Sequence, residues 1–355
     1  MEVLVDGAFW RGRRVFLTGH TGFKGSWLSL WLSQMGAEVT GFALPAEPVS
    51  LFGQARVGEL VRHLEGDIRD LTQVEAAMRE ARPEVVFHLA AQPLVRLSYE
   101  QPVETYATNV QGTVHVLDAC RRADDLQAIV CITSDKCYEN REWVWPYRES
   151  DPMGGFDPYS SSKGAAEIVI SAYRRSFFGE GPGLASVRAG NVIGGGDWAA
   201  DRLIPDIVRA LIEERRPLIR APRAIRPWQH VLEALGGYIA IAERLARGDA
   251  GFAEAWNFGP SDDDTQPVEW IVERMLDAWG GGAWDRASGT QVHEANLLKL
   301  DCAKARAGLG WRPVLGLGRA LEWIVEWHRH VANGGDARQV TRDQLAFYRR
   351  LLDER

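Results

Sequence analysis

A doubly wound parallel α/β fold, with a smaller C-terminal lobe, is what this 355-residue chain predicts, on three observations. Short apolar runs alternate with longer stretches of helical periodicity. The runs show no polar alternation, as expected of parallel strands covered on both faces. A glycine-rich turn, LTGHTGFKGSW (17–27), joins the first run to the first helix. Strand–helix alternation of this kind argues for a parallel sheet.

Taken in order, the predicted strands are 14–18, 38–44, 84–90, 128–134 and 184–190, each rich in Val, Ile, Leu or Phe. Helical periodicity predicts helices over 26–35, 70–81, 104–122 and 160–178 between them. After residue 190 the character changes. The turn GNVIGGGDW leads to a helix near 203–215, a basic loop over 215–228 and a helix over 230–247. A further strand is read at 254–260, with helices near 266–279 and 317–332. A final amphipathic helix, 340–353, follows the break ANGGDA. These elements divide into a first domain, 1–190, to which segments near 230–260 return, and a lobe over 191–355.

Composition excludes several classes of function. With 46% hydrophobic and 25% charged residues the chain reads as globular, and its net charge of -7 argues against nucleic-acid binding by bulk electrostatics. Its four cysteines form no CxxC pair and no metal-ligand spacing, so they read as buried, reduced thiols, and no metal is expected. The first residues lack a secretory pattern and no apolar run approaches the roughly 20 residues that span a bilayer. The expectation is a cytoplasmic protein without a membrane partner.

Gly19, Gly22 and Gly25 follow a predicted strand and precede a predicted helix, enclosing His20, Thr21, Phe23 and Lys24. Such a turn gathers backbone N–H groups and the positive helix end at one spot, where a pyrophosphate sits. A plain sharp turn is the bland alternative, and the βαβ context favours the cradle. In PYSSSKG (158–164), Tyr159 and Lys163 are four residues apart at a helix start, hence on one face. A neighbouring lysine stabilises a phenolate and lowers the phenol's pKa from its ordinary value of about 10. In TSDKCY (133–138), Ser134, Asp135 and Lys136 end a strand at the carboxyl edge, where α/β ligands gather.

The pattern TGxxGxxG resembles the extended branch of the short-chain dehydrogenase/reductases, the NAD-dependent epimerase/dehydratase family. GDIRD (66–70), HLAAQ (88–92) and PYSSSKG match further segments of that family. The resemblance implies a Rossmann-type domain and NAD as cofactor. It implies cofactor contacts from the glycine turn, from Asp67 and Ile68 on the adenine side, and from Leu89, Ala90 and Ala91 beside the nicotinamide. Tyr159 and Lys163 reach the same ring. The second strand ends GFALP, without the acidic residue that usually takes the ribose hydroxyl, so the choice between NAD and NADP rests on other residues.

Asp135 followed by Lys136 resembles the acid–base pair of the family's 4,6-dehydratases, in particular those acting on CDP-glucose, where lysine replaces the usual glutamate. This implies an internal redox cycle on a CDP-hexose: oxidation at C4, loss of water across C5 and C6, and hydride return to C6. Tyr159 would be the base at the 4-hydroxyl and Asp135 the acid at the 6-hydroxyl. Two roles are open to Lys136, a neutral base at C5 or a cation stabilising the enolate. Substrate contacts are expected at Gln92, Arg96, Ser98, Asn191, Arg202, Leu203 and Arg226, the last for the diphosphate. Arg220 and Arg223 read equally as solvated charges, and His230 as structural. Family resemblance also implies a homodimer through helices 104–122 and 160–178. The rival readings are another nucleotide-sugar dehydratase or epimerase, and a non-catalytic dinucleotide-binding scaffold.

Overall fold

The computed structural model describes residues 4–287 and 297–354. Its first half runs β1 (Arg14–Thr18), α1 (Phe23–Gln34), β2 (Glu38–Ala43), α2 (Leu51–Gln54), β3 (Arg62–Glu65), α3 (Leu71–Ala81) and β4 (Val85–His88). It continues through α4 (Val95–Glu100), α5 (Pro102–Tyr106), α6 (Gly112–Cys120), β5 (Ala128–Ile132), α7 (Pro158–Phe177) and β6 (Gly183–Ala189). The second half comprises β7 (Asn191–Ile193), α8 (Leu203–Ile212), β8 (Leu218–Ile219), β9 (Ile225–His230), α9 (Val231–Ala246) and β10 (Ala255–Phe258). Last come β11 (Thr265–Pro267), α10 (Val268–Trp279), β12 (Asp285–Arg286), α11 (Ala303–Leu309), α12 (Leu317–Ala332) and α13 (Ala337–Asp353).

Seven strands form one parallel sheet in the order β10-β6-β5-β4-β1-β2-β3. The order reverses at β1, which pairs with β2 on one side and β4 on the other. That reversal opens a crevice at the carboxyl edge, where the glycine turn, Leu89 and Thr133 all emerge. Alternate residues of each strand feed two cores. Val15, Leu17, Phe87 and Val130 pack with Trp27 and Trp31 of α1 and with Leu232, Leu235 and Ile239 of α9. Phe16, Val86 and Ile129 pack on the other face with Val74, Val116, Leu117 and Ile170. A third core joins Ile207, Trp228, Ile271, Met275 and Ile324 around the small sheet β11-β9-β7.

Local signals set the boundaries. Asp157 accepts a hydrogen bond from Ser160 N at the start of α7, where Pro158 occupies the first helical position. Asp70 and Asp336 cap α3 and α13 likewise. Three differences from the sequence reading have clear causes. Strand β3, RHLE, went unread because it is a half-exposed edge with no apolar run. The stretch 104–122 is not one helix, since a π-helical turn, Ala107–Gln111, interrupts it. Helix α1 starts at Phe23 and not near 26, so Gly25 lies inside its first turn.

Candidate active site

The glycine turn is shaped by close backbone packing. Gly19 has φ 76°, and a Cβ there would lie 2.7 Å from Ala90 N. At Gly25 a Cβ would lie 2.2 Å from Gly19 O, so only glycine lets the first helical turn rest on the loop. Gly22 caps α1 in extended backbone, with no side-chain cap and no acidic residue in the first turn. The helix therefore presents uncapped N–H groups to the crevice, which fits the pyrophosphate of a dinucleotide. Ala90 N donates to Thr18 Oγ1 and Leu89 N to Thr18 O, which fixes the neighbouring loop; Ala91 follows it, half-buried.

Side chains of the turn diverge. His20 is buried and turned inward: its Nε2 lies 2.6 Å from His63 Nδ1, and its ring fills the space beside Gly41. Burial, then His63, push its pKa down to about 3, so the imidazole is neutral. Thr21 Oγ1 donates to Leu44 O. The Phe23 ring packs against Gly194. Lys24 points toward the reacting groups: burial, then Arg202 and Lys163, lower its pKa to about 8, with Asp135 and Asp197 opposing. Asp67 is engaged by Arg69, whose hydrogen bonds hold its carboxyl below the usual range. Ile68 is buried against Gly112.

Tyr159 and Lys163 lie one turn apart at the buried start of α7. Ser134 and Asp135 are buried at the end of β5, where Ser134 Oγ accepts from Lys136 N at 3.2 Å and donates to Asp135 Oδ1 at 2.9 Å. Gly190 leaves room here, since a Cβ would come within 3.0 Å of Asp135 Oδ2. Burial raises the Asp135 pKa, against Lys136, the Ser134 hydroxyl, Arg226 and Lys24. Burial lowers Lys163 to about 8, against the Glu167 carboxylate. Tyr159 corrects the sequence expectation. Its pKa is pushed up to about 12, because burial of the phenol outweighs the Ser134 hydrogen bond that favours phenolate.

Residues expected at the substrate divide into two sets. Arg202 acts on Lys24 and Tyr159 and pairs with buried Asp197 at 3.1 Å, Arg226 acts on Asp135, and Arg96 pairs with Asp201 at 3.3 Å. Asn191 opens β7 opposite Trp228. By contrast, Ser98 is fully buried and its hydroxyl donates to Val95 O within α4. The Gln92 amide is used by Thr105 Oγ1 and Leu94 O, so it braces its own loop. Leu203 starts α8 and packs into the third core. His230 is structural, accepting from Leu232 N at the start of α9. Asp197, Glu167 and Arg188 were not singled out in the sequence. Only the spacing of Glu167, four residues beyond Lys163, offered a signal for them.

The NAD dependent epimerase/dehydratase family model matches residues 15–259. The chain is 56% identical over 353 residues to the CDP-glucose 4,6-dehydratase of Salmonella typhimurium, across 97% of this chain and 98% of that one. It is 29% identical over 274 residues to a dTDP-glucose 4,6-dehydratase of Streptomyces antibioticus, 76% of each chain. Among solved structures, it resembles a dTDP-glucose 4,6-dehydratase from Bacillus anthracis in complex with NAD, with TM-score 0.78 and 20% identity over 92% of this chain and 100% of that one. A UDP-glucose 4-epimerase from Thermotoga maritima with UDP-glucose gives TM-score 0.77 and 21% identity, over 89% and 99%. Those two likenesses establish the fold. Since the matched span takes in the glycine turn, the β5 turn and the start of α7, the chain belongs to the NAD dependent epimerase/dehydratase family.

Proposed function

We propose that the chain is an NAD-dependent hydro-lyase that converts CDP-D-glucose to CDP-4-dehydro-6-deoxy-D-glucose. The observation that carries this reading is the 56% identity, over nearly the whole chain, to the Salmonella enzyme named for that reaction. Asp135 supports it, because a buried carboxyl with a raised pKa suits a proton donor, and epimerisation needs no such donor. Bound NAD supplies a hydride acceptor that gives the hydride back, so it is not consumed.

The chain's own groups divide the remaining work. The N-terminus of α1, with Gly19, Gly22 and Gly25, holds the pyrophosphate; Asp67 and Ile68 face the adenine side, and Leu89 to Ala91 the nicotinamide side. Tyr159 takes the proton of the sugar 4-hydroxyl. A phenol at about 12 in the free site must be assisted in that step by Ser134 and the Lys163 ammonium. Asp135 protonates the departing 6-hydroxyl. Lys136 has no hydrogen-bond or ion-pair partner for its ammonium among the described residues, and it serves C5 as a neutral base or as a cation beside the enolate. Arg226, Arg202 and Arg96, with Asn191, hold the nucleotide diphosphate, for which the arginine fork is suited.

We further infer a cytoplasmic homodimer that supplies deoxysugars for lipopolysaccharide. No described helix is long and apolar enough to cross a membrane. Val103 of α5 is 77% exposed and Ile168 of α7 62%, near half-exposed Tyr106, on adjacent helices that a second copy would cover. The substrate test is incubation with CDP-glucose, dTDP-glucose and GDP-mannose, with and without added NAD, following the alkaline absorbance of a 4-keto-6-deoxy sugar. Turnover of CDP-glucose alone is expected. Exclusive turnover of another nucleotide sugar, or 4-epimerisation without ketone, would replace the reading.

A further inference from the structure

Behind the reacting groups the protein buries a complete ion pair. Glu167 of α7 is 4% exposed and Arg188 of β6 3%. Glu167 Oε2 accepts from Arg188 Nη2 at 2.7 Å, and Oε1 from Arg188 Nε at 2.9 Å. The same carboxylate accepts from Thr133 Oγ1 at 2.5 Å and from Ser186 Oγ at 2.8 Å. Arg188 Nη1 donates to the Tyr138 hydroxyl at 2.7 Å and to Glu149 O at 3.2 Å. Every hydrogen-bonding edge of the pair that these contacts describe is thus used on a group that is itself fixed.

A buried pair of this kind adds little net stability over apolar packing of the same volume. What it holds is more informative. Thr133 immediately precedes Ser134, Asp135 and Lys136, and Tyr138 follows Cys137, so the pair grips the β5 turn at both ends. Glu167 stands one helical turn beyond Lys163 and two beyond Tyr159 on the same helix. At Gly164 a Cβ would lie 2.5 Å from Gly154 O and 3.1 Å from Cys137 O, so α7 lies directly on that turn. One carboxylate therefore ties the helix carrying the phenol to the turn carrying the acid.

We propose that Glu167, clamped by Arg188, is a positioning residue for the dehydration: it sets α7 against the Asp135–Lys136 turn and supplies the anion one helical turn from Lys163. The groups that face Lys163 are Tyr159 and Glu167 on its own helix, the Cys131 and Cys137 thiols, His88 and Lys24. Burial keeps both thiols protonated and His88 neutral, so Glu167 is the anion among them. Arg188 and the hydrogen bonds of Thr133 and Ser186 hold its carboxyl below the usual range despite burial. This inference rests on the dehydratase reading proposed above.

The test compares wild type with Glu167→Gln, Glu167→Asp and the double variant Glu167→Gln/Arg188→Met across pH. Removing the anion lowers the pKa of Lys163, so the alkaline limb of the bell of kcat on CDP-glucose moves to lower pH. A shift of about one to two units is expected for a unit charge about one helical turn away in a protein interior. Glu167→Asp restores the position of the bell while kcat stays about tenfold or more below wild type, because the clamp is shortened. The double variant removes both charges and so avoids an unpaired buried guanidinium if the single variant does not fold; an acid shift smaller than that of Glu167→Gln is expected, because the offsetting charge of Arg188 goes with the anion. A second readout is direct: the Lys163 amine, followed by NMR in lysine-labelled protein and assigned with Lys163→Arg, titrates at lower pH without Glu167. An alkaline limb and an amine titration that stay in place while kcat falls reduce the pair to a structural role and overturn the proposal. An inactive wild type on CDP-glucose refutes the dehydratase reading instead, and the amine titration still tests the pair.

Discussion

Gly25 is where the glycine turn and α1 meet, and replacing it with alanine tests the cradle most directly. The added methyl would stand 2.2 Å from Gly19 O, 2.7 Å from His20 Cα and 2.8 Å from Gly19 C. All three are backbone atoms, and the turn is anchored by Gly19 N donating to Phe42 O and Gly22 N to Gly19 O. It also has no room to retreat, since Gly19 already lies against Ala90. Reaching an ordinary carbon–oxygen contact requires the first turn of α1 to back away by about 1 Å, and overpacking of this sort costs about 1–3 kcal/mol. For a chain of 355 residues that is a fall of about 1–4 °C in Tm. A helix terminus displaced by about 1 Å aims its N–H groups off the pyrophosphate, so NAD affinity falls by about tenfold or more. Thermal melts and calorimetric NAD titrations of Gly25→Ala, with Gly179→Ala as the control whose Cβ meets nothing within 4 Å, decide it. Wild-type Tm together with wild-type NAD affinity would falsify the cradle.

Three further outcomes follow from the site and its surroundings. Lys163 loses its charge as pH rises through about 8, so the rate should decline above that pH, and Lys163→Arg, whose charge persists, should flatten that limb whatever its absolute rate. If Lys136 is the C5 base, Lys136→Ala abolishes deuterium uptake at C5 from heavy water; exchange that survives assigns the lysine to enolate stabilisation. Away from the site, Glu243 accepts from Asp6 N and Trp10 Nε1, and burial pushes its carboxyl up to about 7. A raised carboxyl pKa stabilises the fold below the unfolded value of about 4.5 and loses that contribution as pH rises to about 7, so melts at pH about 5 and 7.5 should differ by about 1–3 kcal/mol more in wild type than in Glu243→Gln.

Chemistry that is local in the chain was legible, and chemistry assembled from distant elements was not. Tyr159 and Lys163 could be paired because four residues on a helix is also one turn in space, and Asp135 with Lys136 because they are adjacent. Glu167, Arg188 and Thr133 come from three elements, and only the folded sheet brings them together. Ser98 and Gln92 show a different limit: a polar residue near a site either meets the ligand or satisfies the backbone, and both uses leave the same letter. Strands buried on both faces declared themselves by continuous apolar runs, while the edge strand β3 carried none. For Tyr159 the spacing identified its neighbour, but the direction of its pKa depended on burial, which no spacing reports.

Asp135 stands where opposing electrostatic influences meet at one titrating group. The chain is negative overall, at -7, yet Lys136, Arg226 and Lys24 all pull the Asp135 carboxyl toward ionisation while burial pushes it toward the neutral acid. A nucleotide diphosphate engaging Arg226 adds negative charge and offsets the guanidinium, so both changes raise the Asp135 pKa when substrate binds. The acid is then loaded with its proton by the molecule it is to act on. The limb of the pH profile belonging to Asp135 should accordingly lie at higher pH in kcat, which reports the complex, than in kcat/KM, which reports the free enzyme. Arg226→Gln removes the cation beforehand and should raise the kcat/KM limb toward the kcat limb, while Asp135→Asn should abolish the limb and cost about 10²- to 10⁴-fold in kcat. Coincident limbs in wild type, or a downward shift in Arg226→Gln, would show that the proton on Asp135 is set by burial alone and not by the arriving diphosphate.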